Sequence, residues 1–205
     1  MDSLQKLIEA FRKFPGIGPR QARRFGFYLL TRDAAYNISL AKLIADVKKQ
    51  MTQCAECMRF IALGAARKTL CDICRDPARD RSILTIVGTD TDLDAFEKSG
   101  TYSGTYFVLG GIVPITESDP GKAIRGEELL ELVTKKAGQE LKEIILALNA
   151  NPEGEHTGEY IVGALIPIVK NRGIRISHLG RGLSTGTELE YADPETIKNA
   201  IKHRE

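Results

Sequence analysis

The sequence predicts a multi-module α+β protein, in which a basic helical region and a four-cysteine module precede an α/β domain with a mainly parallel sheet. Three observations predict this order. Apolar residues keep helical spacing over residues 3–50. All four cysteines lie within residues 54–74. From residue 83, short apolar runs typical of buried strands alternate with helical patterns and end in a helical tail.

Three helices are predicted before residue 52. Ser3 can cap the first helix, which ends at the link Phe14-Pro15-Gly16-Ile17-Gly18-Pro19. Pro19 suits the first turn of the second helix, because the N–H that proline lacks would have no partner there. The third helix is expected to start near Ser39.

The link between the first two helices predicts a phosphate-binding site. Its glycines permit positive φ and let another backbone come close. Amides at the start of the second helix stay free, and the helix dipole favours an anion there. The pattern resembles the helix-hairpin-helix motif, which grips DNA phosphates without reading bases, so binding should be salt-sensitive and sequence-tolerant. The predicted DNA-binding residues are Lys13, Gly16, Gly18, Arg20, Arg23 and Arg24.

The cysteines form two pairs, Cys54-Ala-Glu-Cys57 and Cys71-Asp-Ile-Cys74, separated by thirteen residues. Two residues between paired thiols let both sulfurs face one point, and the second pair can complete a tetrahedral zinc site. Four thiolates leave no open position, so we predict a zinc finger with one structural Zn²⁺. Disulfides would suit a secreted protein, but the first residues read as a polar-faced helix rather than a signal peptide. A redox Cys-x-x-Cys usually comes as a single motif.

The charge is asymmetric along the chain. Residues 1–82 hold 16 Lys and Arg against 8 Asp and Glu, whereas residues 83–205 hold 13 against 19. A basic amino-terminal part followed by an acidic remainder indicates that the amino-terminal part binds a polyanion. Part of the positive charge can balance the −2 of a zinc tetrathiolate, through Arg59, Arg67, Lys68 and Arg75. The basic residues before position 33 are not explained in this way.

The second half predicts a parallel sheet covered on both faces, because its strand-like runs are continuously apolar. Strands are expected at 82–87, 105–109, 143–148 and 174–179, with a loop at 112–125. Helices are expected at about 91–98, 127–137 and 157–171, and a last helix from Asp193-Pro194 to the end. No apolar run approaches the ~20 residues of a membrane span, so we expect a soluble intracellular protein.

Taken together, the motifs resemble those of the bacterial recombination mediator family RecR, over nearly the whole chain. The hairpin stretch is Phe14-Pro15-Gly16-Ile17-Gly18-Pro19-Arg20. The others are Cys71-Asp72-Ile73-Cys74-Arg75-Asp76-Pro77, Arg79-Asp80-Arg81-Ser82, Tyr106-Phe107-Val108-Leu109-Gly110-Gly111, Pro152-Glu153-Gly154-Glu155 and Gly186-Thr187-Glu188-Leu189-Glu190-Tyr191.

The resemblance implies four modules: a helix-hairpin-helix region at 1–52, a zinc finger at 53–78, a Toprim domain at 79–173, and a carboxy-terminal strand and helix at 174–205 for oligomer contacts. It implies a non-catalytic DNA-binding protein of DNA repair, a ring-like tetramer that can encircle DNA. With RecO and RecF such proteins help load the RecA recombinase onto single strands coated by single-strand-binding protein. The family's basic hairpin positions fall on Arg20 and Arg24, and its partner contacts on Glu153 and Glu155. The expected location is the bacterial cytoplasm, at the nucleoid.

Two positions depart from the catalytic Toprim pattern, a Glu after the first strand and an Asp-x-Asp after a later one. This chain has Gly88 at the first position and Asn149-x-Asn151 at the second. The alternative function, a metal-dependent Toprim nuclease or primase-like enzyme, would need an unorthodox magnesium site made of Asp90, Asp92, Glu153 and Glu155. A third possibility is a zinc-bearing module that binds RNA. No Gly-x-x-x-x-Gly-Lys-Ser/Thr loop occurs, which argues against an ATPase.

Overall fold

The computed structural model describes residues 2–63, 69–117, 119–180, 182–183, 186 and 188–202. Arg67, Lys68 and Thr187, which the sequence analysis singled out, lie outside these ranges. The chain divides into two compact units, Met1–Thr52 and Gln53–Glu205. Within the described ranges, every helix is too short or too polar to span a lipid bilayer.

The first unit consists of three helices, α1 (Ser3–Arg12), α2 (Pro19–Leu30) and α3 (Ala34–Gln50). Helices α1 and α2 pack closely, because Gly26 presents no side chain to α1. A Cβ at Gly26 would lie 3.0 Å from the Ile8 Cγ1 atom. Pro19 opens α2, as predicted from its missing N–H.

Two helix starts in this unit differ from the sequence-based expectations. Asp2, not Ser3, caps α1, since its Oδ1 atom accepts a hydrogen bond from the Gln5 N–H at 2.7 Å. Helix α3 begins at Ala34 instead of near Ser39, because the Asp33 carboxylate accepts from the Tyr36 N–H at 2.7 Å. In both places an aspartate supplies the side-chain acceptor that the first turn of a helix needs.

The cysteine-bearing segment is short and irregular. Strands β1 (Met51–Gln53) and β2 (Phe60–Ala62) form a two-stranded sheet, and α4 (Asp72–Arg75) is a single helical turn. The paired cysteines therefore lie in turns, where backbone amides are free to meet sulfur.

The predicted parallel sheet is confirmed. Its strands, in chain order, are β3 (Asp80–Val87), β4 (Gly104–Val108), β5 (Glu143–Ala147) and β6 (Arg175–His178). They lie side by side in the order β4-β3-β5-β6, and each neighbouring pair is parallel.

In the described part of the second unit, five helices accompany these strands: α5 (Asp90–Ser99), α6 (Pro120–Ala123), α7 (Gly126–Ala137), α8 (Pro152–Val169) and α9 (Pro194–Lys202). Single 3₁₀ turns cover Lys170–Arg172 and Leu189–Tyr191. Helix α6 lies inside the loop expected at 112–125. Helix α8 starts at Pro152, five residues before the expected Thr157, because the Asn151 side chain accepts from the Gly154 N–H at 2.8 Å.

Both faces of the sheet are covered. On one face Leu84, Ile86 and Ile144 pack with apolar residues of α7 and α8. On the other face Val87 and Val108 pack with α5 and with the four cysteines. The cysteine module therefore shares a hydrophobic core with the α/β domain.

Candidate metal centre and nucleic-acid interface

The four predicted cysteine ligands lie together and are buried. Their sulfur atoms all lie within 4.8 Å of one another, and the Sγ atoms of Cys57 and Cys71 are 3.6 Å apart. Tetrahedral Zn–S bonds of about 2.3 Å place sulfurs about 3.8 Å apart. The arrangement can therefore hold a metal ion, and its donor set suits zinc.

Backbone amides already point at two of these sulfurs. The Cys71 N–H donates to the Cys54 Sγ atom and the Cys74 N–H donates to the Cys71 Sγ atom, each at 3.3 Å. Hydrogen bonding by Cys57 lowers the pKa of the Cys54 thiol, while hydrogen bonding to Cys54 raises the pKa of the Cys57 and Cys74 thiols. Metal binding requires deprotonated cysteines, so a divalent cation at this site would stabilise all four sulfurs as thiolates.

The cysteine module is tied to the sheet by backbone and arginine contacts. The Val108 N–H at the end of β4 donates to the Cys57 carbonyl at 2.8 Å. The Arg125 Nη1 atom donates to the carbonyls of Met58 and Val108, each at 2.9 Å. Met58 has φ of +61°, a left-handed backbone conformation that is uncommon for residues other than glycine. Sequence reasoning missed Arg125, because it lies alone in a loop with no motif around it.

Two of the four basic residues expected to balance the thiolates pair with carboxylates. The Arg59 Nη2 atom lies 3.2 Å from the Asp94 Oδ1 atom, and Arg75 pairs with Asp72 in α4. A basic residue that the sequence analysis did not assign to the metal site, Arg81, donates to the Cys74 carbonyl at 3.4 Å.

The acids after the first sheet strand have structural partners. The Asp90 Oδ1 atom accepts from the Phe60 N–H at 2.8 Å and so holds β2 against α5. The Asp92 Oδ2 atom accepts from the Thr89 N–H at 2.8 Å in a capping box at the start of α5. Each of these carboxylates therefore has a structural role in holding its neighbouring element.

The acids after the central strand lie on a helix rather than in a loop. Glu153 and Glu155 are exposed in the first turn of α8, and Asn151 is its N-cap. In the part of the chain that the structure describes, only the cysteines bring three or more possible metal ligands together. The structure therefore does not bring together the four carboxylates of the hypothetical magnesium site, those of Asp90, Asp92, Glu153 and Glu155.

Gly88 has a packing reason to lack a side chain. A Cβ there would lie 3.0 Å from the Ile112 Cδ1 atom and 3.2 Å from the Asp92 Oδ2 atom. At the end of β3, where catalytic Toprim proteins carry a glutamate, the side chains of Ile112 and Asp92 would have to shift to admit one.

The hairpin link leaves room for a phosphate. Gly16 has φ of +74°, and a Cβ at Gly16 or Gly18 would meet no atom of the described residues within 4 Å. Among the described residues no side chain caps the start of α2, so its first amides have no side-chain acceptor. This is the geometry in which a helix start binds an anion.

The arginines of α2 surround that helix start on its exposed side. Among the described residues, Arg20, Arg23 and Arg24 pair with no carboxylate, and the Arg24 Nη1 atom donates only to the Gln21 amide oxygen at 3.2 Å. Lys13 is exposed at the end of α1. The predicted hairpin residues thus occupy one helical hairpin of the first unit.

Comparison with known proteins finds three family domains along the chain. Residues 4–48 match the helix-hairpin-helix domain of RecR, residues 82–180 match the Toprim domain, and residues 182–205 match the RecR carboxy-terminal domain. The Staphylococcus saprophyticus protein named "Recombination protein RecR" is 38% identical over 99% of this chain and 96% of its own length. Its namesake from Chloroflexus aurantiacus is 41% identical over 97% of this chain and 92% of its own length. This chain belongs to the RecR family.

Proposed function

We propose that this protein is a non-catalytic DNA-binding mediator of recombination in DNA repair. The observation that carries the proposal is the uncapped start of α2, with open space at Gly16 and Gly18 and unpaired arginines beside it. Amides and guanidinium groups bind phosphates without reading bases. The protein therefore binds single- and double-stranded DNA of any sequence.

Each module has a part in this proposal. Residues 1–52 bind DNA, and residues 53–78 hold one structural Zn²⁺ through the four cysteines. Residues 79–173 form the Toprim domain, and residues 174–205 supply contacts between subunits of a clamp-like tetramer. The tight packing at Gly88 and the capping role of Asp92 support a Toprim domain without phosphoryl-transfer chemistry.

The partners are RecO- and RecF-type recombination proteins, with which the clamp helps load recombinase onto single-stranded DNA. Support comes from the relatives' name, "Recombination protein RecR". Glu153 and Glu155 are exposed at the start of α8 and are the proposed partner contacts. The proposed location is the bacterial cytoplasm, at the nucleoid.

The salt dependence of duplex binding tests the hairpin. Each lost phosphate contact lowers the slope of log K against log salt by about 0.9. The double variant Arg20→Ala/Arg24→Ala should therefore bind duplex DNA more weakly, with a slope smaller by about two units. Fluorescence anisotropy with a labelled duplex between about 50 and 200 mM salt measures this.

A matched control removes two exposed cations elsewhere in the same unit. Lys42→Ala/Lys48→Ala takes the same charge from α3 and should leave the slope unchanged. An unaltered slope in the arginine variant would rule out the hairpin as the contact surface. Supercoiled plasmid incubated with Mg²⁺ in the same preparations should remain uncut. Nicking that disappears in Glu155→Ala would establish the Toprim enzyme instead.

A further inference from the structure

We propose that the arginine-bearing face of α2 also binds an unpaired base of single-stranded DNA, with the Phe27 ring as the stacking platform. This inference rests on the proposed function, because it names the form of DNA that the same helix prefers. Phosphate contacts alone give a single strand no advantage over a duplex, which has the higher charge density. An aromatic ring that meets base faces would not.

Helical spacing places the ring among the cations. Phe27 follows Arg23 by four residues and Arg24 by three, so the three side chains lie on one side of α2. They line a groove of about 790 Å³, together with Arg20 and Tyr28. A strand lying along this side would meet guanidinium groups in the first two turns of the helix and an aromatic surface in the third.

Phe27 is the most exposed of the described aromatic side chains that line this groove. It is 48% exposed, and the Arg23 guanidinium lies 5.9 Å from its ring centroid. Tyr28 is already engaged, because the Arg32 guanidinium lies 4.2 Å from its centroid and Tyr36 packs edge-on at 6.3 Å. The Phe27 ring thus has an apolar face in water next to a cation, an arrangement that suits a base and its phosphate.

The charge of the helix favours a nucleic acid over an apolar protein surface. Helix α2 contains three arginines and no acidic residue, and Arg32 lies two residues after its end. An apolar partner would leave these guanidinium groups desolvated without counter-charges. A single strand neutralises them and offers base faces at the same time, whereas a duplex hides its base faces by stacking.

Tryptophan fluorescence tests stacking directly, because the chain contains no tryptophan. The variant Phe27→Trp in the full chain provides a single emitting residue in the groove. We expect oligo(dT) to quench this emission. A strand of equal length built of abasic sugars and phosphates, or a blunt duplex, should leave the emission nearly unchanged even when it binds.

The DNA affinities of a second set of variants test how much the Phe27 ring contributes to the binding of single-stranded DNA. Stacking of one base on an aromatic ring corresponds to an affinity ratio of roughly 5- to 150-fold. Phe27→Ala should therefore weaken oligo(dT) binding about tenfold, without changing duplex affinity or the salt slope. Phe27→Tyr should restore the affinity for oligo(dT). The control Leu30→Ala removes a side chain that is 65% exposed on the same helix but outside the groove, and should bind like the wild type.

Several outcomes would overturn the proposal. One is quenching of the Phe27→Trp emission by the abasic strand as strong as that by oligo(dT). Another is a loss of affinity in Phe27→Ala that is as large for the duplex as for oligo(dT). A third is tighter binding of an RNA strand than of the matching DNA strand. A lower sedimentation mass for Phe27→Ala would assign the ring to a second copy of the chain. If the wild type binds no DNA, the proposed function itself fails. If it binds oligo(dT) and the abasic strand equally, with an arginine-dependent salt slope, only the stacking fails.

Discussion

At the scale of single residues, Glu97 joins three parts of the α/β domain. Its Oε1 atom accepts from the Arg79 Nη1 atom at 2.8 Å and from the Tyr106 hydroxyl at 2.7 Å. Arg79 precedes β3, Glu97 lies on α5, and Tyr106 is buried in β4. The Arg79 guanidinium, followed by the Tyr106 hydroxyl, holds the pKa of the Glu97 carboxyl below its usual value.

This shift predicts how stability depends on pH. A carboxyl with a lowered folded-state pKa stabilises the fold above its ordinary pKa of 4.5, and the contribution is lost as the pH falls through the lowered value. Glu97→Gln should therefore lower the free energy of unfolding by about 1–2 kcal/mol at pH 7. The difference from the wild type should shrink at pH values below the ordinary pKa. Urea unfolding at a series of pH values measures it.

Glu131→Gln is the matched control, because Glu131 is exposed in the middle of α7. It should change the free energy of unfolding little at any pH. The free energies of unfolding of Glu97→Gln and the wild type should not differ by a constant amount from neutral to acidic pH. A constant difference would show that the ionised carboxylate is not the source of the stabilisation.

At the scale of elements, the sequence predicts what depends on near neighbours and misses what depends on distant ones. The cysteine spacing predicted the cluster because the two cysteines of each pair are near neighbours in the sequence. Pro19 likewise predicted the start of α2 from its own position in the first turn. The contact of Arg125 with Met58 joins residues 67 positions apart, and no local pattern marks it. The start of α8 was placed too late because its polar first turn, capped by Asn151, has the composition of a loop.

The cysteine module should depend on its metal. Cys71→Ser removes one of the four ligands and also the sulfur that accepts from the Cys74 N–H. We expect loss of bound zinc and a clearly lower melting temperature, because structural zinc contributes on the order of 10 kcal/mol to small modules. Metal analysis of the purified protein together with calorimetry measures both. A chelator should produce the same change in the wild type.

Asp72→Asn provides the control for that substitution. It lies next to Cys71 but its side chain is 93% exposed, so zinc content should be unchanged. A Cys71→Ser protein that kept both its metal and its melting temperature would contradict the assignment of a four-thiolate structural site.

At the scale of the whole molecule, the first unit leaves much apolar surface uncovered. No residue of α3 is buried, although Leu40, Leu43, Ile44 and Val47 recur at the spacing of one helix face. Leu43 and Ile44 are 65% and 63% exposed. Soluble monomers rarely expose so continuous an apolar stripe. The proposed tetramer would give this stripe a surface to pack on.

The mass in solution tests this idea. Four chains of 22.6 kDa give about 90 kDa, which sedimentation equilibrium should find for the wild type at micromolar concentration. The double variant Ile44→Glu/Val47→Glu places charges on the α3 stripe and should shift the mass towards that of smaller species. Lys42→Glu changes an exposed position on the opposite side of α3 and should leave the mass unaltered. A wild-type mass of 22.6 kDa at every concentration, with and without DNA, would exclude the clamp.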